Sequence, residues 1–221
     1  MSERVLRFEL DFISPYAYIT WHAVKPIAAK HGVRIEAVPI LFAALLDAHG
    51  HLGPAEIPPK RAYVFKDSWR RAHALGLPLV PPPGHPFNPL LALRVASLDL
   101  PHDLRDACVT ALFHAAWGTG EGVTDPAVVE RITTGLGIAD AVERAADPAV
   151  KARVRDATTR AIERGTFGVP SLWVDGELFW GSDSLPYVDA WLAGEDPVPD
   201  DLLARWADLP PESRRPASTR R

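Results

Sequence analysis

Thiols are almost missing from this chain: Cys108 is the one cysteine among 221 residues. A single cysteine excludes an intrachain disulfide, so nothing here requires an oxidising compartment. It sits in the apolar run Ala107-Cys108-Val109-Thr110-Ala111-Leu112-Phe113, where a small buried hydrophobe is the expected role. Apolar runs long enough to cross a bilayer are also lacking. Met1-Ser2-Glu3-Arg4 leads directly into a strand pattern without the regions of a signal peptide, so the cytoplasm is the expected location and no membrane partner is expected. There is no excess of positive charge: the net charge is −4, and basic residues are scattered apart from Arg214, Arg215, Arg220 and Arg221. Those four lie in a Pro/Ser-rich end that reads as solvated disorder, so nucleic acid is not an expected partner. No internal repeat is evident. No Gly-x-Ser-x-Gly elbow surrounds Ser14, which argues against a hydrolase triad. His49 and His51 form a His-x-His pair without a third ligand at convincing spacing, so no metal site is expected.

What is present suits one large domain, or one domain carrying a sizeable insertion. Val5 to Phe12 alternates, with Leu6, Phe8, Leu10 and Phe12 on one side and Arg7, Glu9 and Asp11 on the other, which predicts a strand with a polar face. Ser14 is a good N-cap and Pro15 suits the first helical position, so a helix should run to about His31 and stop at Gly32. Ile19, Ala23 and Ile27 mark its expected buried face, and Pro26 should kink it. Val33 to Ile40 predicts a second strand, parallel to the first. Helical patterns follow at about 40–48, 58–76, 88–99, 103–117, 125–135 and 148–164, with a Pro-rich loop at 78–86. After Gly165 two apolar runs flank Asp175-Gly176, a strong hairpin signal, and a helix capped by Ser182 or Asp183 should end at about Gly194. A short helical stretch near Asp201–Ala207 precedes the end.

The stretch Asp11-Phe12-Ile13-Ser14-Pro15-Tyr16-Ala17-Tyr18 occupies a strand-to-helix turn. Thioredoxin-type oxidoreductases carry Cys-x-x-Cys at such a turn, but here the two positions are Ser14 and Ala17, which excludes dithiol exchange. A hydroxyl at a helix N-terminus can hydrogen-bond an anion. If that anion is a bound thiolate, the sulfur is borrowed, as from glutathione. On the turn alone, anion binding and simple helix capping are equally good readings of Ser14.

The order βαβ, helical insertion, ββα, with Pro170 before the third strand, resembles an α/β thioredoxin-like fold with a large all-helical insertion. Five motifs sharpen this: Asp-Phe-Ile-Ser-Pro-Tyr at 11–16, Pro-Lys-Arg-Ala-Tyr at 59–63, Pro-Phe-Asn-Pro-Leu-Leu-Ala-Leu-Arg at 86–94, Phe-Gly-Val-Pro-Ser at 167–171 and Phe-Trp-Gly-Ser-Asp at 179–183. Each is weak alone; together and in this order the chain resembles the 2-hydroxychromene-2-carboxylate isomerases, relatives of kappa-class glutathione transferases and of DsbA-like oxidoreductases. The resemblance implies a discontinuous thioredoxin-like domain (1–40 and 165–195), a helical insertion (41–164) and a Pro-rich, partly disordered tail (196–221).

It also implies roles. Ser14 would donate a hydrogen bond to the sulfur of glutathione, the implied cofactor. Val169, before a Pro170 expected to be cis, would pair its backbone with the cysteinyl part. Asp183 would meet the γ-glutamyl amine, Trp180 would flank that site, and Lys60 would hold a carboxylate. Tyr16, Phe87, Asn88 and Pro89 would bind an aromatic small-molecule substrate, and a homodimer is expected. Two positions depart from the family pattern and touch the polar grip on glutathione or substrate: His51 stands where an Asn is common, and Ser184 where an Arg often follows Asp183.

Each of these residues also has a plainer role open to it. Lys60 lies in a charged run that suits a solvated helix face, Asn88 can cap a helix, and Trp173 and Trp180 can be core aromatics; Asp11 could be an acid supporting Ser14, but the polar face of its strand is the preferred reading. A free thiol ionises near pH ~8.5, and lowering that by one unit needs about 1.4 kcal/mol of preference for the anion, within reach of a hydroxyl donor plus a helix N-terminus. A glutathione-dependent isomerase of an aromatic-degradation intermediate, a kappa-like glutathione transferase and a non-catalytic glutathione- or peptide-binding protein all remain open at this point.

Overall fold

A computed structural model of the chain describes residues 3–199, 201–207 and 209. Its strands are β1 (Val5–Leu10), β2 (Arg34–Pro39), β3 (Ser171–Val174) and β4 (Glu177–Trp180). The helices are α1 (Pro15–His31), α2 (Phe42–His49), α3 (Pro58–Ala74), α4 (Leu90–Ala96), α5 (His102–Phe113), α6 (Pro126–Gly135), α7 (Ala141–Arg144), α8 (Pro148–Arg164), α9 (Leu185–Ala193) and α10 (Leu202–Ala207). One sheet has the order β2-β1-β3-β4, with β1 parallel to β2 and the other pairs antiparallel. This is the βαβ and ββα arrangement that the alternating runs and turn residues predict. Most of the tail expected to be disordered lies outside the described residues.

Local chemistry sets the ends of the elements. Ser14 accepts the Ala17 N–H at 3.1 Å and starts α1; Gly32, in the left-handed conformation at φ 64°, ends it. α1 is continuous through Pro26. Asp175 (φ 52°) and Gly176 (φ 90°) form the tight turn of the β3–β4 hairpin. The predicted 103–117 helix becomes α5 followed by a wider π turn at His114–Gly118, where a side chain on Gly118 would stand 2.3 Å from the His114 ring. The four-residue α7 and the single 3₁₀ turns Pro54–Glu56 and Ser182–Ser184 were not predicted, being too short to show a period.

Two expectations about faces need correcting. The buried stripe of α1 is Ala17, Trp21, Val24 and Ala28, together with Tyr18 and Ile19; Ala23 and Ile27 are only partly buried at its edge. The polar face of β1 is also only partly solvated: Leu6, Phe8 and Leu10 are fully buried, but so is Glu9, at 1% exposure, while Arg7 stays partly exposed. Successive strand side chains point to opposite sides. Phe8 meets Trp21 of α1, edge-on at 5.3 Å, and Glu9 meets Arg164 of α8. Helices therefore cover the sheet on both faces. The larger core joins β1 and α1 to the helices of the insertion; a smaller one (Val38, Ile40, Leu45, Ala161, Val169) lies between β2, α2 and α8.

Glu9 is held by three donors: Arg164 Nη1 at 2.9 Å, Thr166 Oγ1 at 2.5 Å and Trp173 Nε1 at 3.2 Å. Removing the cation leaves a buried carboxylate without its charge partner. We expect Arg164→Met to lower the unfolding free energy by about 2–4 kcal/mol in urea titration. Arg131→Met, which breaks an exposed pair with Glu121, should change it by less than about 1 kcal/mol. Equal small losses in both would mean that Glu9 is not held as an ion pair.

Candidate active site

Strand pairing brings three chain segments to one end of the sheet. β1 and β3 run antiparallel, with Glu9 opposite Ser171, so the chain entering β3 passes the chain leaving β1. Val169 and Pro170, joined by a cis peptide bond, thus lie beside the Ser14 turn. β4 ends with Trp180 opposite Ser171; the Gly181 N–H then donates to the Pro170 carbonyl at 3.0 Å and leads into the Ser182–Ser184 turn.

The Ser14 oxygen takes the Ala17 N–H, while its own proton reaches the Val169 carbonyl at 3.5 Å, the outer limit of a hydrogen bond. That proton is weakly held and can turn to a better acceptor. The Val169 N–H donates to no group among the described residues. Two aromatic side chains brace the turn from the insertion: Trp117 donates to the Phe12 carbonyl at 2.8 Å and His85 to the Ile13 carbonyl at 3.0 Å. Phe65 and Phe87 complete this wall around His85. Burial, together with the Arg61 charge, outweighs the Ile13 hydrogen bond and lowers the His85 pKa, so the ring is neutral at pH 7.

A polar chain borders the other side. Tyr16 donates to Asp67 at 2.8 Å, Arg71 Nε donates to Asp67 at 2.6 Å, and Arg71 Nη1 donates to Ser182 at 3.1 Å. Burial opposes ionisation of Asp67, but the hydrogen bonds from Arg71 and Tyr16 outweigh it and hold its carboxyl below the ordinary range. Burial and the Asp67 contact push the Tyr16 phenol well above its ordinary value, so it stays protonated.

Ser14, Tyr16, Val169, Pro170, Trp180 and Asp183 thus come together. Trp180 is half exposed, packs at a tilt against Phe167 at 5.2 Å and covers Gly168, where a Cβ would stand 2.4 Å from the indole nitrogen and displace the ring. Phe87 joins through His85. Pro89 is buried, and the Asn88 oxygen accepts the Leu90 N–H at 3.0 Å, closing the turn into α4. Lys60 and His51 are exposed and make no hydrogen bond to this cluster; His51 lies 6.1 Å from the His49 ring, which contacts the Thr166 carbonyl. Ser184 faces inward and donates to the Gly181 carbonyl at 2.7 Å. Cys108 is fully buried, as expected, and burial pushes its thiol up to about 12.

Sequence reasoning passed over Asp67, Arg71, His85 and Trp117, which lie in ordinary helical or loop patterns. It also misplaced Asp11. This residue is 1% exposed, and its carboxylate accepts the N–H groups of Ile13 at 3.0 Å and Phe42 at 2.9 Å. Burial outweighs both hydrogen bonds and raises its pKa from 3.8 to about 7.

Comparisons with known proteins agree with the thioredoxin-like fold. The DSBA-like thioredoxin domain family matches residues 5–193. A 2-hydroxychromene-2-carboxylate isomerase of Sphingobium xenophagum is 31% identical over 193 residues, covering 86% of this chain and 98% of that protein. The chain belongs to the 2-hydroxychromene-2-carboxylate isomerase family. A solved 2-hydroxychromene-2-carboxylate isomerase superposes with a TM-score of 0.80 at 26% identity, over 94% of this chain and all of that one. Glutathione S-transferase kappa 1 of Rattus norvegicus is 25% identical over 92% of this chain and 98% of its own length. Among the described residues no helix is long and apolar enough to cross a membrane.

The Asp11 carboxyl gives the site a pH signature. Its folded-state pKa lies above the unfolded value, so folding favours the protonated form and stability falls as pH rises from about 4 to about 7. The gap of roughly 3 pH units corresponds to at most about 4 kcal/mol. We expect wild-type stability to fall between pH 5 and pH 7.5 in denaturant titration, and Asp11→Asn to lack that fall. The same slope in both proteins would assign the titration to another group.

Proposed function

We propose that this protein is a glutathione-dependent isomerase of 2-hydroxychromene-2-carboxylate, or of a similar intermediate in the breakdown of aromatic compounds. It works in the cytoplasm as a homodimer, its discontinuous thioredoxin-like part (1–40 and 165–195) holding glutathione and its helical insertion (41–164) supplying the substrate wall. The observation that carries this reading is the Ser14 hydroxyl: it sits at the start of a long helix with a weakly held proton, in a chain with no thiol of its own at the turn.

Three uncommitted groups support glutathione as the ligand. The Ser14 proton suits a thiolate, the free Val169 N–H suits the cysteinyl backbone, and the exposed Asp183 carboxylate suits an ammonium. Bound glutathione supplies the nucleophilic sulfur, which is regenerated in an isomerisation. Ser14 donates without ionising, and the N-terminus of α1 adds its dipole. Trp180 covers the glutathione side, with Lys60 and His51 as outer polar contacts. Tyr16, Phe87, Asn88 and Pro89 hold the aromatic substrate, and the neutral His85 keeps that wall uncharged. The kappa-class relatives favour a second reading, in which the sulfur remains on an electrophile and glutathione is consumed.

Turnover with glutathione well below the substrate concentration, its thiol titre unchanged at the end, is expected for the isomerase; stoichiometric loss of thiol would select the transferase. Ser14→Ala should lower kcat by roughly 10- to 100-fold, and should also cost about 1 kcal/mol of stability through the lost cap. Asp125→Ala removes an equivalent cap on α6 and should cost similar stability with full activity. Equal activity in the two variants would remove Ser14 from the mechanism. In calorimetric titration the wild type should bind glutathione saturably and Asp183→Ala should lose most of that affinity; no wild-type binding would count against glutathione.

A further inference from the structure

We infer that Arg71, reaching over from α3, is a specificity residue that binds the α-carboxylate of the γ-glutamyl arm while Asp183 binds the ammonium on the same carbon. The inference rests on the glutathione reading above and assigns to Arg71 a contact that no sequence motif marks.

The guanidinium is only partly committed. Nε bonds Asp67 and Nη1 bonds Ser182, while Nη2 donates to no group among the described residues. Its side chain is 36% exposed, so the uncommitted nitrogen belongs to a group that a ligand can reach. Burial works against the charge of Arg71; the Asp67 hydrogen bond and the fields of Asp67 and Asp183 overcome it. Asp183 therefore acts on Arg71 through space, yet the two make no ion pair. Asp183 itself makes no hydrogen bond or ion pair among the described residues. Its carboxylate lies over Gly181, with Oδ1 2.7 Å from where a Cβ there would be, and the φ of 85° at Gly181 suits glycine.

A guanidinium with a free Nη2 and an unpaired carboxylate on one rim select the charge pattern of the ligand. A simple anion is attracted by Arg71 and repelled by Asp183; a simple cation meets the reverse. A group carrying an ammonium and a carboxylate on one carbon satisfies both, and Ser182, whose hydroxyl proton is not donated elsewhere among the described residues, adds a donor to the carboxylate. The free amino-acid end of a γ-glutamyl peptide has this pattern. Ser184 faces inward, so the guanidinium at this rim comes from α3.

Calorimetric titration of the wild type and Arg71→Met with glutathione and with γ-aminobutyryl-cysteinylglycine, the same peptide without that carboxylate, tests the assignment. The wild type should prefer glutathione by roughly tenfold or more, and Arg71→Met should lose that preference by weakening glutathione alone. Arg71→Lys, which keeps the charge but not the planar fork, should retain part of it. A wild type that binds both peptides equally, or an Arg71→Met protein that keeps the preference, overturns the inference and leaves the glutathione reading standing. A wild type that binds neither peptide overturns both. The wild-type comparison needs no folded variant, and melting curves of the two variants identify any loss due to misfolding.

Discussion

The Asp11 carboxylate ties together the two loops that leave the parallel strand pair. One oxygen takes the Ile13 N–H in the turn after β1, and the other takes the Phe42 N–H at the start of α2, just beyond β2. An amide side chain would put an NH2 group, itself a donor, in place of one of these two oxygens and could not accept both bonds in this geometry. α2 has no capping side chain of its own at Leu41, so Asp11 supplies the missing acceptor from across the sheet. The rest of the turn is equally constrained. The Phe12 carbonyl accepts from Trp117, the Ile13 carbonyl from His85, and the Ser14 N–H donates back to the Asp11 carbonyl at 3.1 Å. With each of these groups committed, the Ser14 hydroxyl is held in one place before any ligand arrives, which is the condition for electrostatic preorganisation.

Much of this was legible because it is local. Ser14 and Gly32 bound α1 through their own conformational preferences, and Asp175-Gly176 dictates the hairpin turn. Those elements give the parallel pair and the hairpin; the pairing of β1 with β3, which brings Ser14, Pro170 and Asp183 to one end of the sheet, is long-range and was implied only by the family resemblance. The failures share a cause. Glu9 and Asp11 alternate with apolar residues as solvated residues do, and nothing near them in sequence signals that α8 returns to cover that face or that Phe42 needs an acceptor. Arg71 looks like any other residue in the charged run of α3; its role comes from being opposite Ser182, a contact across 111 positions of sequence.

Covering both faces of the sheet has a cost that the structure meets with specific partners. Glu9 is paired with Arg164 and hydrogen-bonded by Thr166 and Trp173. Asp11 has only neutral backbone donors, which is why burial prevails at Asp11 and raises its pKa. The two acids lie two residues apart on one strand pattern and reach different solutions, one by charge pairing and one by titrating near neutrality. Both solutions fix backbone at the same end of the sheet: Glu9 secures the segment that leads into Val169, and Asp11 secures the segment that leads into Ser14.

The fate of the one thiol in the chain clarifies why a serine suits the turn. Cys108 is surrounded by apolar groups, and burial alone pushes its ionisation up to about 12, far from any useful nucleophile. At the turn the balance is opposite. The N-terminus of α1, the free Val169 N–H and the Ser14 proton all favour negative charge, and both Asp11 oxygens are directed at backbone donors. On the proposed reading, the means of stabilising an anion is built from backbone and one hydroxyl, none of which needs to change protonation. A site of this kind is indifferent to whether the sulfur is covalently part of the chain, and a hydroxyl at position 14 leaves room for one that is not.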